Sequence, residues 1–235
     1  PVWSDPVRIW HGSATNTPIV LKDGKWLLPV TLADGGGKFP ELDGFRGADV
    51  LMSPDKGKTW EYYGGVRFPH PDYNEHSVVE LHDGRVWMTA RTSEGIWQSF
   101  SSDEGRTWTV PSKYLNHNKT RHLIMRFSSG RLLLVKHGNP DENPGKRVRM
   151  TAFVSDDGGK TWRGGLELDE RKNAAYPYGC QAEDGTIYIV YDRNRDNYGE
   201  ILMARISEES IAEGSPRPED GLKMIVTKVG RKQQK

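Results

Sequence analysis

The stretch Ser155-Asp156-Asp157-Gly158-Gly159-Lys160-Thr161-Trp162 decides the fold, because its pattern occurs three times in the chain. The pattern Ser-x-Asp-x-Gly-x-Thr-Trp also begins at Ser53 and at Ser101, so the copies lie 48 and 54 residues apart. Repeats of such a period indicate one supersecondary unit copied along the chain. Within each copy the Asp side chain can accept backbone N–H bonds and the Gly suits a positive φ, which is typical of a turn. The repeat therefore predicts a structural turn rather than a catalytic motif.

A second turn signal alternates with the first. Asp-Gly, or a similar pair, lies between two β-rich runs in four places: Lys22–Lys25, His82–Arg85, Ser128–Arg131 and Glu183–Thr186. This is the strongest short-range signal for a β-hairpin. Each unit then contains strand A, an Asp-Gly turn, strand B, a longer loop, strand C, the Ser-Asp-Gly-Thr-Trp turn and strand D. Four-stranded antiparallel units in series are the blades of a β-propeller.

We predict an all-β chain that forms a single propeller domain over residues 1–235. The expected blades cover about residues 16–65, 74–112, 120–167 and 175–207, and the fourth lacks the Ser-Asp-Gly-Thr-Trp turn. A short helix at 208–213, capped by Ser207, and a C-terminal strand and tail at 222–235 follow. The run Asp34–Gly37 is interpreted as a flexible loop, since no helix follows it that could cradle a phosphate.

Composition excludes several classes of function. The chain carries 33 basic and 32 acidic residues in 235, which gives no electrostatic basis for binding nucleic acid or an anionic membrane. One cysteine, Cys180, excludes an internal disulfide framework. No metal-ligand set or dinucleotide fingerprint is present, so we expect no cofactor. The first five residues lack the regions of a signal peptide, and we expect a mature or trimmed end.

The three repeated turns resemble the Asp boxes, or BNR repeats, of the sialidase (neuraminidase) β-propeller superfamily. The resemblance covers about residues 11–213 and is closest to bacterial sialidase-like proteins. It implies a sialidase-like propeller of the six-bladed type, of which about four blades lie in this chain. We therefore expect the chain to be the C-terminal two-thirds of a longer protein, with closure of the ring through a partner chain as the alternative.

Strand direction decides which side chains can meet. The start of strand A, the end of strand B and the start of strand C share one end of each blade, and both kinds of turn lie at the other end. Polar residues of both charge signs gather at the first end, among them Glu75, His76, Arg91, Arg147, Tyr176 and Arg193. We expect these residues to line one mouth of the propeller.

The resemblance assigns roles to several of these residues. Tyr176 matches the nucleophilic tyrosine of sialidases by its spacing to Asp184-Gly185, and Glu75 matches the glutamate that assists it. Arg91 and Arg147 match two arginines of the carboxylate-binding triad, with Arg149 as a possible substitute for Arg147. His76 and Arg193 are further candidates for substrate binding. The remaining arginine and the Asp acid/base of a sialidase have no counterpart here, and we expect them in N-terminal blades.

The leading hypothesis is a glycoside hydrolase of exo-α-sialidase-like type that cleaves terminal acidic sugars. An arginine pair suits a planar carboxylate, and a tyrosine nucleophile is uncharged where a carboxylate would be repelled by the substrate. The alternatives are a polysaccharide lyase or rhamnosidase, with His76, His122 or His137 as base, and a non-catalytic glycan-binding propeller. In a purely structural interpretation, Arg91 or Arg147 pairs with Glu75 or Glu94.

The resemblance also implies a setting. We expect a glycan or oligosaccharide as the binding partner, with neither nucleic acid nor a membrane, and self-association if the propeller is incomplete. A periplasmic or secreted location is favoured by the family alone.

Overall fold

The chain folds into a succession of four antiparallel sheets. The structure, a computed structural model, describes residues 2–14, 16–32, 40–197 and 199–230. Sixteen strands in this part of the chain form four sheets of four strands, and within each sheet a strand pairs with the next one along the chain. The alternation of two kinds of turn predicted this meander, and the predicted all-β fold of four antiparallel blades is confirmed.

The strands of the four blades have the following bounds. The first blade contains β1 (Ile19–Val20), β2 (Trp26–Thr31), β3 (Ala48–Ser53) and β4 (Glu61–Val66), with a 3-10 helix at Pro40–Phe45. The second contains β5 (Pro71–Glu80), β6 (Val86–Thr92), β7 (Gly95–Ser101) and β8 (Ser112–Leu115). The third contains β9 (Leu123–Arg126), β10 (Leu132–His137), β11 (Met150–Ser155) and β12 (Arg163–Asp169). The fourth contains β13 (Ala174–Gln181), β14 (Ile187–Arg193), β15 (Glu200–Ile206) and β16 (Gly221–Lys228).

The first strands of all four blades face a common axis. Residues of β1, β5, β9 and β13 together line a central channel of about 580 Å³. The hydrophobic cores lie between successive blades, because alternate side chains of each strand point to opposite faces. In β10, for example, Leu132 and Leu134 pack with the second blade, whereas Leu133 and Val135 pack with the fourth.

The Asp boxes form the turns between the third and fourth strands of the first three blades. In the first box, the backbone N–H and hydroxyl of Thr59 donate to the two carboxylate oxygens of Asp55, at 2.8 and 2.7 Å. The Ser53 hydroxyl accepts from the backbone N–H of Gly57, whose φ is +87°. The bonds from Thr59 lower the pKa of Asp55 to about 2. The repeated residues therefore close a local turn and have no free group for catalysis.

The box tryptophans are half-buried rather than fully enclosed. Trp60 and Trp108 donate their indole N–H to the carbonyls of Gly57 and Gly105. Trp162 instead donates to the Tyr114 hydroxyl at 2.6 Å, and that hydroxyl donates to the Gly159 carbonyl. The third box is thus tied to the last strand of the preceding blade.

The helix after the fourth blade's third strand is an insertion within that blade. Helix α1 (Glu208–Glu213) begins at Ser207, whose side chain accepts from the Ser210 N–H, and ends at Gly214 with φ +71°. The chain then returns as β16, which pairs with β15. The fourth blade therefore extends to Lys228, beyond the expected limit near residue 207. The proposed loop at Asp34–Gly37 and the last five residues lie outside the described residues.

No helix in the described part of the chain is both long enough and apolar enough to cross a membrane.

Candidate functional site

Two β-bulges shape the end of the propeller opposite the Asp boxes. The register of β5 shifts between Pro71 and His76, and that of β13 shifts between Ala175 and Tyr178. Residues in both bulges have positive φ angles: Tyr73 (+62°), Asn74 (+47°) and Tyr176 (+57°). Such angles are strained for aromatic residues, and strained residues cluster at functional sites. The bulges turn side chains away from the regular alternation at the predicted mouth.

Arg91 is the centre of a charged cluster at this end. It lies at the end of β6 and is 5% exposed. Its Nη2 lies 2.8 Å from an Asp72 carboxylate oxygen, and its Nη1 donates to Glu75 Oε2 at 2.7 Å. The same Nη1 donates to the Tyr176 hydroxyl at 3.2 Å. Burial opposes the charge of Arg91, but its hydrogen bond to the Glu75 carboxylate raises its pKa, so Arg91 is a permanent cation.

Glu75 and Tyr176 meet through Arg91. If Glu75 assists Tyr176 as the resemblance implies, its carboxylate should lie within hydrogen-bond reach of the Tyr176 hydroxyl. Among the described residues, no hydrogen bond joins these two groups directly; both instead accept from one nitrogen of Arg91. The cluster thus brings together the predicted residues Glu75, Arg91 and Tyr176. It also contains the Arg91–Glu75 ion pair that is expected if these residues have only a structural role.

Two further guanidinium groups lie over the Tyr176 ring. The Arg147 guanidinium carbon is 5.7 Å from the ring centroid, and that of Arg195 is 4.0 Å away. Arg149 pairs with Glu142 in its own loop. Arg147 is therefore the arginine of this loop that lies next to Tyr176. Together with Arg91, these side chains surround a half-buried tyrosine with positive charge.

Sequence reasoning missed Arg195 and Asp72. It favoured Arg193, which lies in β14 and donates to Glu200 at 2.8 Å. Arg195 follows two residues later in the loop and pairs with Asp192 at 2.6 Å. Asp72 precedes Glu75 by three residues, and the bulge in β5 gives both side chains access to Arg91. The sequence did contain a signal for Arg195: it is an arginine that closely follows the second strand of its blade, at the end where the site is expected.

His76 is part of the interior. It is 1% exposed, and its two ring nitrogens lie 2.8 Å from the Asn74 carbonyl and 2.9 Å from the Asp49 carbonyl. Burial lowers the pKa of His76, which favours the neutral ring. The side chain joins the second blade to the first. This geometry disagrees with the expectation that His76 contacts substrate, because the buried ring lies between two backbone carbonyls and, when neutral, donates its N–H to one of them.

His122 and His137, the other histidines considered as a base, are also buried. His122 lies 2.9 Å from the Thr89 hydroxyl, and His137 lies 2.8 Å from the Ala174 carbonyl. Burial lowers the pKa of His122 to about 3 and that of His137 to about 4. A general base must reach the proton that it removes, and neither ring is exposed to a ligand.

In the described ranges, no group of three or more His, Cys, Asp or Glu residues is arranged to hold a metal ion. The side chains that meet at this mouth carry guanidinium groups, a phenol and two carboxylates. Guanidinium groups recognise planar anions such as carboxylates.

Antiparallel four-stranded blades with Asp-box turns place the fold in the class of sialidase-like β-propellers, as the sequence predicted. Residues 3–189 match the BNR repeat-like domain, and the chain belongs to that family. No curated protein matches the sequence.

Solved structures share the fold at low sequence identity. The intramolecular trans-sialidase from Ruminococcus gnavus, in complex with oseltamivir carboxylate, has a TM-score of 0.60 and 18% identity, over 80% of this chain and 42% of that chain. A Hadza microbial sialidase has a TM-score of 0.56 and 25% identity, over 74% and 34% of the two chains. A protein of unknown function from Dyadobacter fermentans has a TM-score of 0.57 and 17% identity, over 88% and 63%. The chain thus spans less than two thirds of each of these proteins.

Proposed function

We propose that this chain supplies the substrate-binding mouth of a glycoside hydrolase of sialidase-like type that acts on terminal acidic sugars. The observation that carries the proposal is the convergence of Arg91, Arg147 and Arg195 on Tyr176. Guanidinium groups bind carboxylates through charged, directional hydrogen bonds. A sugar carboxylate held between them would have its anomeric carbon beside the tyrosine.

The roles of Tyr176 and Glu75 follow from this placement. Tyr176 is the nucleophile, because a neutral phenol can approach a carbon that bears a carboxylate. Glu75 takes the phenol proton once the substrate carboxylate draws Arg91 away from its position between them. Catalytic hydrogen bonds are often long or misaligned without substrate and tighten when it binds. The acid/base residue would come from outside this chain, as the family resemblance implies.

A non-catalytic glycan-binding propeller is the second candidate. The position of Arg91 between Glu75 and Tyr176 favours it, because a nucleophile separated from its base is not activated. Both candidates bind an acidic sugar at the same arginines. They differ in what the Tyr176 hydroxyl does.

The deciding experiment compares Tyr176→Phe with Tyr178→Phe. Tyr178 lies two residues along β13, so its variant controls for loss of a phenol from the same strand. Binding of free sialic acid is measured by calorimetry, and turnover is measured with a fluorogenic sialoside. For a hydrolase, Tyr176→Phe abolishes turnover and leaves the affinity within about threefold of wild type, because only the attacking oxygen is lost.

The other outcomes separate the alternatives. The fluorogenic sialoside has a phenol-type leaving group that departs with little acid assistance, so a hydrolase turns it over even without the acid/base residue. Binding of the acidic sugar without turnover of this substrate in the wild-type chain supports the glycan-binding candidate. Preferential binding of a neutral sugar, unaffected by Arg147→Ala, contradicts both candidates. Growth of ultraviolet absorbance from an unsaturated uronate product indicates a lyase instead.

A further inference from the structure

Lys136 occupies a core position that is not basic in the other blades. It lies six residues after the glycine of the Asp-Gly-type turn, and the matching residues of the other blades are Val30, Ala90 and Tyr191. Lys136 is 0% exposed. It shares a face of β10 with Leu132 and Leu134, which pack against the second blade. Lysine is almost never fully buried without partners, so its presence there needs a specific reason.

The Lys136 ammonium is enclosed by backbone carbonyls. Its Nζ donates to the carbonyl oxygens of His137, Asn139 and Glu142, at 2.8, 2.5 and 3.0 Å. An ammonium has three N–H donors and no acceptor, so these three bonds use its full capacity. Burial lowers the pKa of Lys136 to about 8, and the carboxylates of Glu142 and Asp141 act in the opposite direction.

The three carbonyls belong to β10 and to the first half of the loop that follows it, residues 138–149. This loop contains no helix or strand and joins β10 to β11. Its two halves are linked: Gly138 N–H donates to the Arg149 carbonyl at 3.0 Å, and the Glu142 carboxylate pairs with Arg149. Arg147 lies in the second half, two residues before Arg149. Holding such a segment in one conformation has an entropic cost in each residue.

We propose that Lys136 is a positioning residue that places Arg147 beside Tyr176, by holding the first half of the 138–149 loop in the way that a bound cation holds a coordinating loop. The inference rests on the proposed function, in which Arg147 binds the carboxylate of an acidic sugar. Lys136 itself does not contact the ligand.

The test uses Lys136→Met, with Lys146→Met as the matched control. Methionine has a similar length but leaves the three carbonyls without a donor. Lys146 is exposed and lies in the same loop, next to Arg147, so its variant removes a lysine charge without touching those carbonyls. Free sialic acid is the probe in calorimetry. Lys136→Met weakens its binding by about tenfold, since small misplacements of binding groups have large effects, whereas Lys146→Met changes it by less than about threefold.

A double-mutant cycle separates the positioning of Arg147 from a general disturbance of the structure. In an Arg147→Ala background, Lys136→Met causes no further loss of affinity, because the group that it positions is gone. An equal loss in both backgrounds overturns the proposal, as does wild-type affinity in a folded Lys136→Met variant. The latter result would mean that two other bonds, from Asn118 to the Lys146 carbonyl and from Asn173 to the Arg147 carbonyl, position the arginine.

Hydrogen exchange tests the role of Lys136 without a ligand, and therefore independently of the proposed function. If wild-type protein fails to bind the acidic sugar, the proposed function is wrong, and the inference is judged by the amides of residues 138–149. Lys136→Met speeds their exchange by about tenfold or more, and Lys146→Met does not. Unchanged exchange in Lys136→Met overturns the proposal. Where Lys136→Met does not fold, Lys136→Arg is used; it keeps a donor and retains partial protection of the loop.

Discussion

Replacing Arg91 by alanine tests whether the central cluster at the mouth is a linked ion network. The side chains of Arg91, Glu75 and Asp72 are 6%, 9% and 14% exposed. Removal of Arg91 leaves two carboxylates without their cation where water reaches them poorly. Removing one partner of a buried pair typically costs about 3–5 kcal/mol. We therefore expect Arg91→Ala to lower the free energy of unfolding at pH 7 by about that amount.

The matched control is Arg85→Ala in the same blade. Arg85 pairs with Asp83 at 2.8 Å, but these side chains are 42% and 52% exposed. Exposed pairs contribute about 0–1 kcal/mol. Urea unfolding, monitored by tryptophan fluorescence, gives the free energy of unfolding of both variants. Each variant removes one guanidinium group from the same blade.

The two variants together decide whether the network exists. An Arg91→Ala loss no larger than that of Arg85→Ala would show that the two carboxylates are well solvated and would refute the network.

Two further predictions concern stability. Trp162 is half-buried and Trp87 is 1% exposed, so Trp162→Ala should cost about 1–3 kcal/mol and Trp87→Ala about 3–5 kcal/mol in urea unfolding; equal losses would contradict the difference in burial. Because the pKa of His137 is about 4 when folded and about 6.5 when unfolded, the unfolded chain binds the extra proton between these values. Wild-type stability should thus fall by about 2–4 kcal/mol from this group as the pH drops from 7 to 4, and His137→Gln should flatten that slope; parallel curves would mean that His137 is charged when folded.

The turns could be predicted because their interactions are local. Asp55 and Thr59 are four residues apart and form hydrogen bonds with each other, so their spacing in the sequence is enough to predict the turn. The same holds for the strand order, which follows once two kinds of turn alternate. Convergence at the mouth could also be predicted for Arg91 and Tyr176, since strand direction alone brings both residues to one end of the blades.

Side-chain orientation at that mouth could not be predicted as well. His76 adjoins Glu75, yet it points into the interior, because the bulge in β5 decides which residue faces the site. Arg195 replaces Arg193 beside Tyr176 because loop conformation, not strand alternation, places it. The conformations of bulges and loops depend on how they pack against other blades, and this packing cannot be predicted from a single sequence.

Because the hydrophobic cores lie between blades, the contacts between different pairs of blades can be weakened separately. Each sheet packs its two faces against different neighbours, so adjacent residues such as Leu133 and Leu134 belong to different interfaces. Where each unit packs only against its neighbours, stability is approximately a sum of unit and nearest-neighbour contributions. Leu133→Ala should loosen the contact between the third and fourth blades, and Leu134→Ala the contact between the second and third. Tyr176 belongs to the fourth blade and Arg91 to the second, so the cluster at the mouth needs both contacts intact. We therefore expect that this cluster can be lost while every blade remains folded.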